Sequence, residues 1–308
     1  MPELPEVEVV RRGIEQWATN AQIIAVEVLD PRSLRRHVGG PEDFIARLTG
    51  QRLAVGQRRG KYLWIPIDEG YNAVVVHLGM SGQLLISQPD IPDQKHLKIR
   101  ITYTTGESIQ ELRFVDQRIF GGLYLDSLLP TQDQPGELIP STVMHIGRDP
   151  LDEHFDTEVI FLKLRKRKSS LKRALLDQSL SSGIGNIYAD EALYLAELHY
   201  ARPTETLTRK EVSRVYKAAE QVMTLALAQG GTSFDALYVN VNGESGYFER
   251  SLQAYGQAGE ECSRCAAQRS AGELEARRGP GVIVREKFMG RSSYRCTVCQ
   301  PRPRKGRW

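Results

Sequence analysis

Cysteine is scarce in this chain, and long apolar runs are missing. The 308 residues include only four cysteines, all after residue 261, which excludes the dense disulfide framework of a small secreted domain. No stretch approaches the ~20 consecutive apolar residues that a membrane-spanning helix needs, and we find no targeting segment or internal repeat. The hydrophobic content of 41% is sufficient for soluble cores. We therefore expect a cytoplasmic protein of two or three domains.

The four cysteines form two CxxC pairs, Cys262 with Cys265 and Cys296 with Cys299. Paired thiols at this spacing are typical of a tetrahedral zinc site, in which the metal holds a hairpin too small to bury a core. The 30 residues between the pairs exceed the usual ~15–20. We therefore predict one structural Zn²⁺ in a ribbon with an inserted loop. A redox dithiol is the alternative, but no thioredoxin-like βαβ pattern surrounds the pairs.

Positive charge is concentrated near the end of the chain. The sequence has 41 basic and 38 acidic side chains, a net charge of +3. Twelve basic and three acidic residues lie in 262–308, so this part carries +9 and the preceding 261 residues carry −6. A basic end on an acidic chain is typical of a protein that binds a polyanion. A second basic run at 165–168 is more often a solvated face, but it adjoins the next motif.

Two helical patterns follow that run, separated by a Ser/Gly-rich break. Apolar residues recur at helical spacing in 171–178 and 187–193, and the break reads SSGIGN at 181–186. Free N–H groups at the start of the second helix, at Asn186, favour a bound phosphate. The pattern is a helix–turn–helix in outline. A simple tight connection between two helices is the alternative.

The opening residues Met1-Pro2-Glu3 contain a candidate nucleophile. Removal of Met1 would leave the secondary amine of Pro2 beside the carboxylate of Glu3. An α-amino group has a pKa of ~7.7–8.0, so part of it is unprotonated at neutral pH. Such amines form Schiff bases with carbonyl carbons. Many proteins begin Met-Pro by chance, so this interpretation depends on support from the rest of the chain.

Together these motifs resemble the formamidopyrimidine-DNA glycosylase family, which excises oxidised purines and then cleaves the abasic strand. The resemblance extends from end to end, with the motifs in the family's order. It implies a monomer that binds double-stranded DNA containing oxidised bases or abasic sites. The matching segments are MPELPEVE at the start, KYL at 61–63, HLGMSG at 77–82, GIGNIYADE at 183–191, GYF at 246–248 and the two cysteine pairs.

The same patterns predict a multidomain α+β fold. We expect an N-terminal helix at 4–17, then short alternating or β-branched runs that are typical of a β-sandwich. Strands are expected at 22–29, 52–55, 62–67, 73–77, 83–86, 97–103, 107–114, 119–125 and 247–255. The expected domains are a catalytic β-sandwich with the N-terminal helix at 1–130, a hinge at 131–152, a helical DNA-binding domain with a helix-two-turn-helix at 153–246, and a zinc-ribbon DNA-binding module at 247–308, with 266–285 outside the ribbon core.

The resemblance also implies catalytic roles for particular residues. Pro2 would displace the base at C1′ and form a Schiff base, and Glu3 would protonate the sugar ring oxygen. Lys61 matches the lysine credited with proton donation in β-elimination. Arg291 matches the ribbon arginine assigned to δ-elimination.

Further residues match the family's DNA contacts. Met80, Arg118 and Phe120 would fill the gap left by the flipped base, although core packing is the commoner fate of the two apolar side chains. Gln117 and Ile119 stand where the family more often has Pro and Arg, and Gln94 stands where it commonly has a DNA-contacting His. The implied DNA-binding residues are Met80, Gln94, Arg118, Phe120, Arg167, Lys172, Asn186 and Tyr247.

Two other functions stay open at this point. The endonuclease VIII type of the same family prefers oxidised pyrimidines, but its members usually have Gly where Leu4 stands and lack the HLGMSG pattern. A non-catalytic, zinc-dependent DNA-binding protein is the alternative from another class, and the conjunction of Pro2, Glu3 and Lys61 speaks against it. The loop that begins at 230–234 and ends at 246–247 resembles the oxidised-purine form, in which a flexible loop closes over the extruded base.

Overall fold

The structure is a computed structural model that describes residues 2–231, 241–242, 246–271 and 279–308. Its contacts divide the chain into two compact units. The first comprises Met1–His145 and Leu227–Glu249, and the second comprises Ile146–Ala226 and Arg250–Trp308. The described residues of Leu227–Glu249 thus group with the N-terminal part of the chain, whereas the helical domain was predicted to extend to residue 246.

The first unit is a sandwich of two antiparallel sheets, as the sequence predicts. One sheet has the order β1-β6-β7-β5, and the other has the order β2-β3-β4-β8-β9. Buried and partly exposed side chains alternate along β6, the pattern of a strand with one face on a core. The elements are α1 (Leu4–Ala18), β1 (Gln22–Val28), α2 (Gly40–Leu48), β2 (Gln57–Arg59), β3 (Tyr62–Ile67), β4 (Asn72–His77), β5 (Gly82–Ser87), β6 (Leu97–Thr105), β7 (Ser108–Asp116), β8 (Gly122–Pro130) and β9 (Leu138–Pro140).

Helix α1 begins immediately after the candidate nucleophile. Proline in its first turn suits a position whose N–H needs no intrahelical partner, and Glu6 Oε2 accepts a hydrogen bond of 2.8 Å from the Glu3 N–H. Val7, Val10 and Ile14, three or four residues apart, are buried in the main core. Each such side chain contributes ~1.5–3 kcal/mol when fully buried. This burial fixes the start of the chain against the sandwich.

Two local predictions in the first unit are wrong. Residues 52–55 do not form a strand, since Arg52 makes only an isolated bridge to Gln22. The 119–125 strand begins later, at Gly122, after a turn in which Ile119 has a φ of 54°. The range expected to be a hinge, 131–152, includes β9, which pairs with β8, and a 3₁₀ turn at Ser141–Val143, and the first unit's N-terminal part ends within it at His145.

Helix α2 was not predicted from the sequence at all. Only two of its nine residues, Phe44 and Leu48, are buried. The helical pattern of apolar residues is therefore too short to distinguish this segment from a loop in the sequence.

A buried ion cluster fixes the β2–β3 hairpin to α1. Glu8 Oε2 accepts hydrogen bonds from Arg11 Nε at 2.9 Å and from Arg58 Nε at 3.0 Å, and Oε1 accepts from Arg12 Nε at 3.0 Å. Burial alone would raise the pKa of Glu8, but the hydrogen bonds and charges of Arg11 and Arg58 outweigh it and lower that pKa. Lys61 lies at the turn of the hairpin that this cluster holds.

The second unit combines helices with one small hairpin. Strands β10 and β11 pair antiparallel, from Ile283 opposite Cys296 to Phe288 opposite Arg291. Its elements, with α6 extending two residues beyond it, are α3 (Thr157–Lys166), α4 (Leu171–Leu175), α5 (Asn186–Leu195), α6 (Arg209–Ala228), α7 (Ser263–Ser270), β10 (Ile283–Phe288) and β11 (Arg291–Cys296). None of the helices in the described part of the chain is long and apolar enough to cross a membrane. The predicted multidomain fold class is confirmed.

The strand predicted at 247–255 is absent. A 3₁₀ turn occupies Phe248–Ser251. The carboxylate of buried Glu191 then accepts the N–H groups of Gln253, Ala254 and Tyr255. Because a buried side chain takes these donors, they are not available to a sheet.

We predict that Glu8→Gln destabilises the first unit in a pH-dependent way. The lowered pKa of Glu8 means that its ion cluster stabilises the fold above the ordinary glutamate pKa, and that this contribution is lost as pH falls through the lowered value. Urea unfolding at pH 7 should show a loss of ~1–3 kcal/mol, and the difference from the parent should shrink towards pH 3. Glu15→Gln, on the exposed side of α1, is the matched control. An equal loss at both pH values contradicts the assignment.

Candidate functional site

The predicted nucleophile and acid lie together at the start of α1. Pro2 is buried, and Glu3 is 3% exposed at the cap position of the helix. The N-terminus of a helix carries partial positive charge, so it disfavours a cation. Burial disfavours a cation as well. Both effects favour the uncharged form of an amine at residue 2 once Met1, which is outside the described residues, is removed.

Three basic side chains, those of Arg35, Arg36 and Lys61, act on His77 at the end of β4. The ring of His77 stacks on Tyr62 with centroids 5.1 Å apart. Burial, together with the positive charges of Arg36, Arg35 and Lys61, lowers the pKa of His77 to about 4. The imidazole is therefore neutral at physiological pH, and its Nδ1 has no hydrogen-bond partner among the described residues. Sequence reasoning did not assign His77, although it lies in the HLGMSG motif.

Two loops of the first unit carry the predicted wedge residues. The Met80 loop (residues 78–81) connects β4 to β5, and the Arg118 loop (residues 117–121) connects β7 to β8. Gly79 has a φ of 63°, and a Cβ there would lie 2.5 Å from the backbone nitrogen of Gly121. A Cβ at Gly121 would lie 2.6 Å from the carbonyl oxygen of His77. The two loops therefore meet backbone against backbone, which requires glycine at both positions.

One buried carboxylate holds both loops. Asp116 Oδ1 accepts hydrogen bonds from Ser81 Oγ at 2.5 Å and from the Arg118 N–H at 3.1 Å. Its Oδ2 accepts from the Gly121 N–H at 2.8 Å. Hydrogen bonds to an ionised acceptor are about twice as strong as neutral ones. Asp116 was not identified from the sequence, although it directly precedes the QRIF segment.

The tip of the Arg118 loop is strained and exposed. A positive φ at a β-branched residue such as Ile119 is a genuine outlier. Arg35 donates hydrogen bonds to the carbonyl oxygens of Ile119 and Phe120 and so restrains this backbone. Phe120 is 47% exposed, and Arg118 is also exposed. Core packing therefore does not account for Phe120, whereas Met80 is half-buried.

Two more predicted DNA contacts lie in the first unit. Gln94 is half-buried, and its Oε1 accepts a 3.3 Å hydrogen bond from buried Arg113. The side chain of Tyr247 is 62% exposed, while its N–H donates to the carbonyl oxygen of Gln229 at 3.0 Å. Most of the loop expected to cover the extruded base, 232–240 and 243–245, is outside the described residues.

In the second unit, the side chain of Lys172 is buried, although a contact with a DNA phosphate was expected of it. It is 1% exposed, and its Nζ donates to Asp190 Oδ1 at 2.6 Å, to Ser293 Oγ at 2.8 Å and to the Ser292 carbonyl at 3.1 Å. A phosphate could reach this ammonium only by displacing those partners. We therefore assign Lys172 a structural role that joins α4 and α5 to β11, and we do not carry the expected phosphate contact further.

The remaining predicted contacts of the second unit are accessible. Asn186 opens α5 and donates from Nδ2 to the Ser292 carbonyl at 3.0 Å. Arg291 is exposed at the first position of β11, just after the hairpin turn. Arg167 is 40% exposed and forms an ion pair with Asp177. The hydrogen bonds to Ser292 and Ser293 fix the strand directly after Arg291, close to the hairpin turn.

The four cysteines come together, as predicted, in a cluster that could hold a metal ion. Their Sγ atoms all lie within 4.8 Å of one another. The separations include 3.3 Å from Cys265 to Cys299 and 3.7 Å from Cys265 to Cys296. A tetrahedral site with Zn–S bonds of ~2.3 Å has S···S separations of ~3.8 Å. Tyr194 Oη lies 3.3 Å from Cys262 Sγ, so a residue outside the cysteine cluster also contacts one of the four sulfur atoms. The donor set fits zinc.

The segment between the cysteine pairs belongs partly to the ribbon, contrary to the prediction for 266–285. Residues up to Ser270 continue α7, and Ile283 begins β10. A Cβ at Gly281 would lie 2.4 Å from Cys265 Sγ and 2.9 Å from Cys296 Sγ. The Gly281 carbonyl also accepts the Cys262 N–H at 2.8 Å. Residues 272–278 are outside the described residues.

Comparison with known proteins finds relatives along the whole chain. Family models described as Formamidopyrimidine-DNA glycosylase N-terminal domain and Formamidopyrimidine-DNA glycosylase H2TH domain match residues 1–123 and 146–236. Proteins named formamidopyrimidine-DNA glycosylase from Thermobifida fusca and Streptomyces coelicolor are 53% and 54% identical to this chain. These alignments cover 100% of both chains in the first case and 99% of both in the second.

Solved structures with the same fold contain DNA. A complex of Lactococcus lactis Fpg with abasic-site DNA has a TM-score of 0.78 at 31% identity and covers 97% of this chain and 100% of that one. A complex of the wild-type Lactococcus lactis protein with N7-benzyl-Fapy-dG DNA has a TM-score of 0.79 at 31% identity, with coverage of 98% and 100%.

We predict that Gly281→Ala and Cys296→Ser both release the metal. The first places a Cβ against two sulfur atoms, and the second removes a ligand. Elemental analysis should give one zinc per chain in the parent and little in either variant, with loss of DNA binding in a gel-shift assay. Ser270→Ala, at the exposed end of α7, is the control. A variant that lacks zinc yet binds DNA like the parent would show that the metal does not support the interface.

Proposed function

Because the chain belongs to the formamidopyrimidine-DNA glycosylase family, we propose that it excises formamidopyrimidine and 8-oxoguanine from double-stranded DNA and then cleaves the abasic strand by β,δ-elimination. It would act as a cytoplasmic monomer with one structural zinc. The observation that carries the proposal is the placement of Pro2 and Glu3 at the fixed start of α1, in the same unit as two loops that carry Met80, Arg118 and Phe120. The relatives bound to lesion-containing and abasic DNA support it.

The first step is extrusion of the damaged nucleotide. A base inside a duplex cannot be attacked, and flipping it out costs a few kcal/mol. Met80 and Phe120 would occupy the gap, and Arg118 would donate to the orphaned opposite base. Apolar side chains wedged between base steps hold kinked DNA in this way. The shared Asp116 carboxylate keeps both loops in place before DNA binds, so less ordering is needed on binding.

The second step is displacement of the base by Pro2. The amine nitrogen would form a bond to C1′ as the bond from C1′ to the base breaks. Glu3 would donate a proton to the ring oxygen, the sugar ring would open, and a Schiff base with Pro2 would remain. A positioned general acid contributes typically 10²–10⁴-fold in rate. The helix terminus and a buried position would both favour the uncharged form of the attacking amine.

The third step is strand cleavage. Lys61 would donate a proton during β-elimination, and Arg291 would serve δ-elimination. Arg35, Arg36 and Lys61, whose positive charges act on His77, would supply cations for a backbone phosphate.

Further residues would hold the rest of the duplex. Asn186, at the positive end of α5, would bind a phosphate through backbone N–H groups and its side chain. Arg167, Gln94 and Tyr247 would supply further contacts. Such phosphate contacts make affinity fall steeply with salt.

We predict that borohydride traps a covalent adduct through Pro2. The parent protein should become cross-linked to a duplex containing 8-oxoguanine, and peptide mass spectrometry should place the link on the N-terminal residue. Lys61→Ala is the matched control, because it removes a competing amine and should keep the adduct while slowing strand cleavage. An adduct on a lysine, with Pro2→Gly still trapped fully, contradicts the assignment.

The lesion preference is a separate prediction. A site built to hydrogen-bond a base rejects one that lacks the matching group strongly. Single-turnover rates on matched duplexes should therefore be higher for formamidopyrimidine and 8-oxoguanine opposite cytosine than for thymine glycol. Arg118 favours cytosine, since guanidinium donors suit its exposed acceptors. Faster removal of thymine glycol than of 8-oxoguanine would instead place the chain with the endonuclease VIII type.

A further inference from the structure

Residues 302–308, here called the strap, follow the second cysteine pair and fold back onto the second unit. The Arg307 N–H donates to the Ala201 carbonyl at 2.9 Å, and its Nε donates to Glu205 Oε1 at 3.1 Å. Both partners lie in the connection between α5 and α6. One part of the strap is therefore fixed to the helices of this unit through backbone and side chain together.

Another part of the strap binds the hairpin at β10. Arg302 forms an ion pair with Glu286. The same carboxylate accepts hydrogen bonds from Arg295 Nε at 2.7 Å and from Tyr200 Oη at 2.8 Å. Burial would raise the pKa of Glu286, but the hydrogen bonds from Arg295 and Arg302 outweigh it and lower that pKa to about 2. An isolated exposed ion pair contributes little, whereas this one belongs to a network around one ionised carboxylate.

Aromatic rings connect the strap to the turn of the hairpin. Trp308 and Tyr200 are arranged edge to face, with centroids 6.0 Å apart, and the Arg302 guanidinium lies 5.7 Å from the Trp308 ring centre. Tyr200 packs in turn on Phe288, with centroids 4.6 Å apart. Phe288 is the residue of β10 that pairs with Arg291. A single side chain thus separates the strap from the strand opposite Arg291.

The two strands of the hairpin are held by different groups. Lys172 and Asn186 bind the Ser292 carbonyl on β11. The strap and Tyr200 contact β10, at Glu286 and Phe288. A two-stranded hairpin is only marginally stable by itself. The position of the turn between the strands therefore depends on the contacts to both of them.

We propose that the strap positions Arg291 for δ-elimination, an inference that rests on the function proposed above. Arg291 is exposed beside the hairpin turn, so its guanidinium can act on a bound strand only as accurately as the turn is held. Loss of the strap contacts would leave the strand pairing and the cysteine cluster in place and would loosen the turn. Schiff-base formation and β-elimination, assigned to Pro2 and Lys61, would not change.

The test measures how abasic DNA is partitioned between β- and δ-elimination products. Arg302→Ala combined with Trp308→Ala removes both strap contacts to the hairpin, and Trp308 is 64% exposed, so no buried cavity results. In a single turnover with excess protein, the ratio of δ-product to β-product should fall by about tenfold, because small misplacements have large effects on rate. Borohydride trapping, the β-elimination rate and the zinc content should stay at the parent level.

Matched variants separate the strap contacts from loss of charge. Lys305→Ala removes an exposed cation from the middle of the strap and should leave the product ratio unchanged. Trp308→Phe keeps an aromatic ring against Tyr200 and should keep most of the ratio. Arg302→Ala alone serves if the double variant does not fold, and it should lower the ratio by a smaller factor.

Hydrogen exchange supplies a measurement that does not depend on activity. The N–H groups of β10 and β11 should exchange faster in the double variant than in the parent, while those of α5 should not change. An unchanged ratio, an equal loss of both products, or a ratio that recovers at higher protein concentration overturns the positioning role. A parent protein that forms no δ-product overturns the proposed function instead, and the exchange rates then still show whether the strap holds the hairpin.

Discussion

The burial of helix α1 is the constraint on which the first unit depends. One face of the helix lies in the core of the sandwich, and three sites along it hold different parts of the first unit. Its first residues are the proposed nucleophile and acid. Glu8 holds the hairpin that presents Lys61, and Gly13 seats Val241. Because an α-helix is rigid over this length, it fixes the positions of these groups relative to one another.

In the second unit, the buried ion pair of Lys172 and Asp190 has the corresponding role. Lys172 and Asp190 are both removed from solvent, and the separation of their charged atoms is 2.6 Å. Asp190 also accepts the Tyr294 N–H at 3.1 Å. Loss of either partner of such a pair destabilises the fold, because the remaining buried charge is left without compensation. It therefore joins the β10–β11 hairpin to the helix that begins at Asn186.

The Arg118 loop shows how local strain and tertiary restraint are combined. Ile119 adopts a backbone conformation that is unfavourable for a β-branched side chain, and such strain persists only where surrounding contacts outweigh it. Asp116 and Arg35 provide those contacts. Phe120 consequently remains exposed instead of collapsing into the core, which is the condition that a wedge requires.

The sequence by itself determined the order of the parts and predicted their chemistry. The Pro2–Glu3 terminus, the CxxC pairs and the alternating strands are local patterns, readable without knowledge of distant contacts. Tertiary structure alone decided how those parts are held. The burial of Lys172, the donors taken by Glu191, the Asp116 carboxylate between two loops and the close approach of Gly281 to the thiolates all join residues that lie far apart in the chain or in different elements. Such contacts depend on packing in three dimensions, which apolar periodicity does not encode.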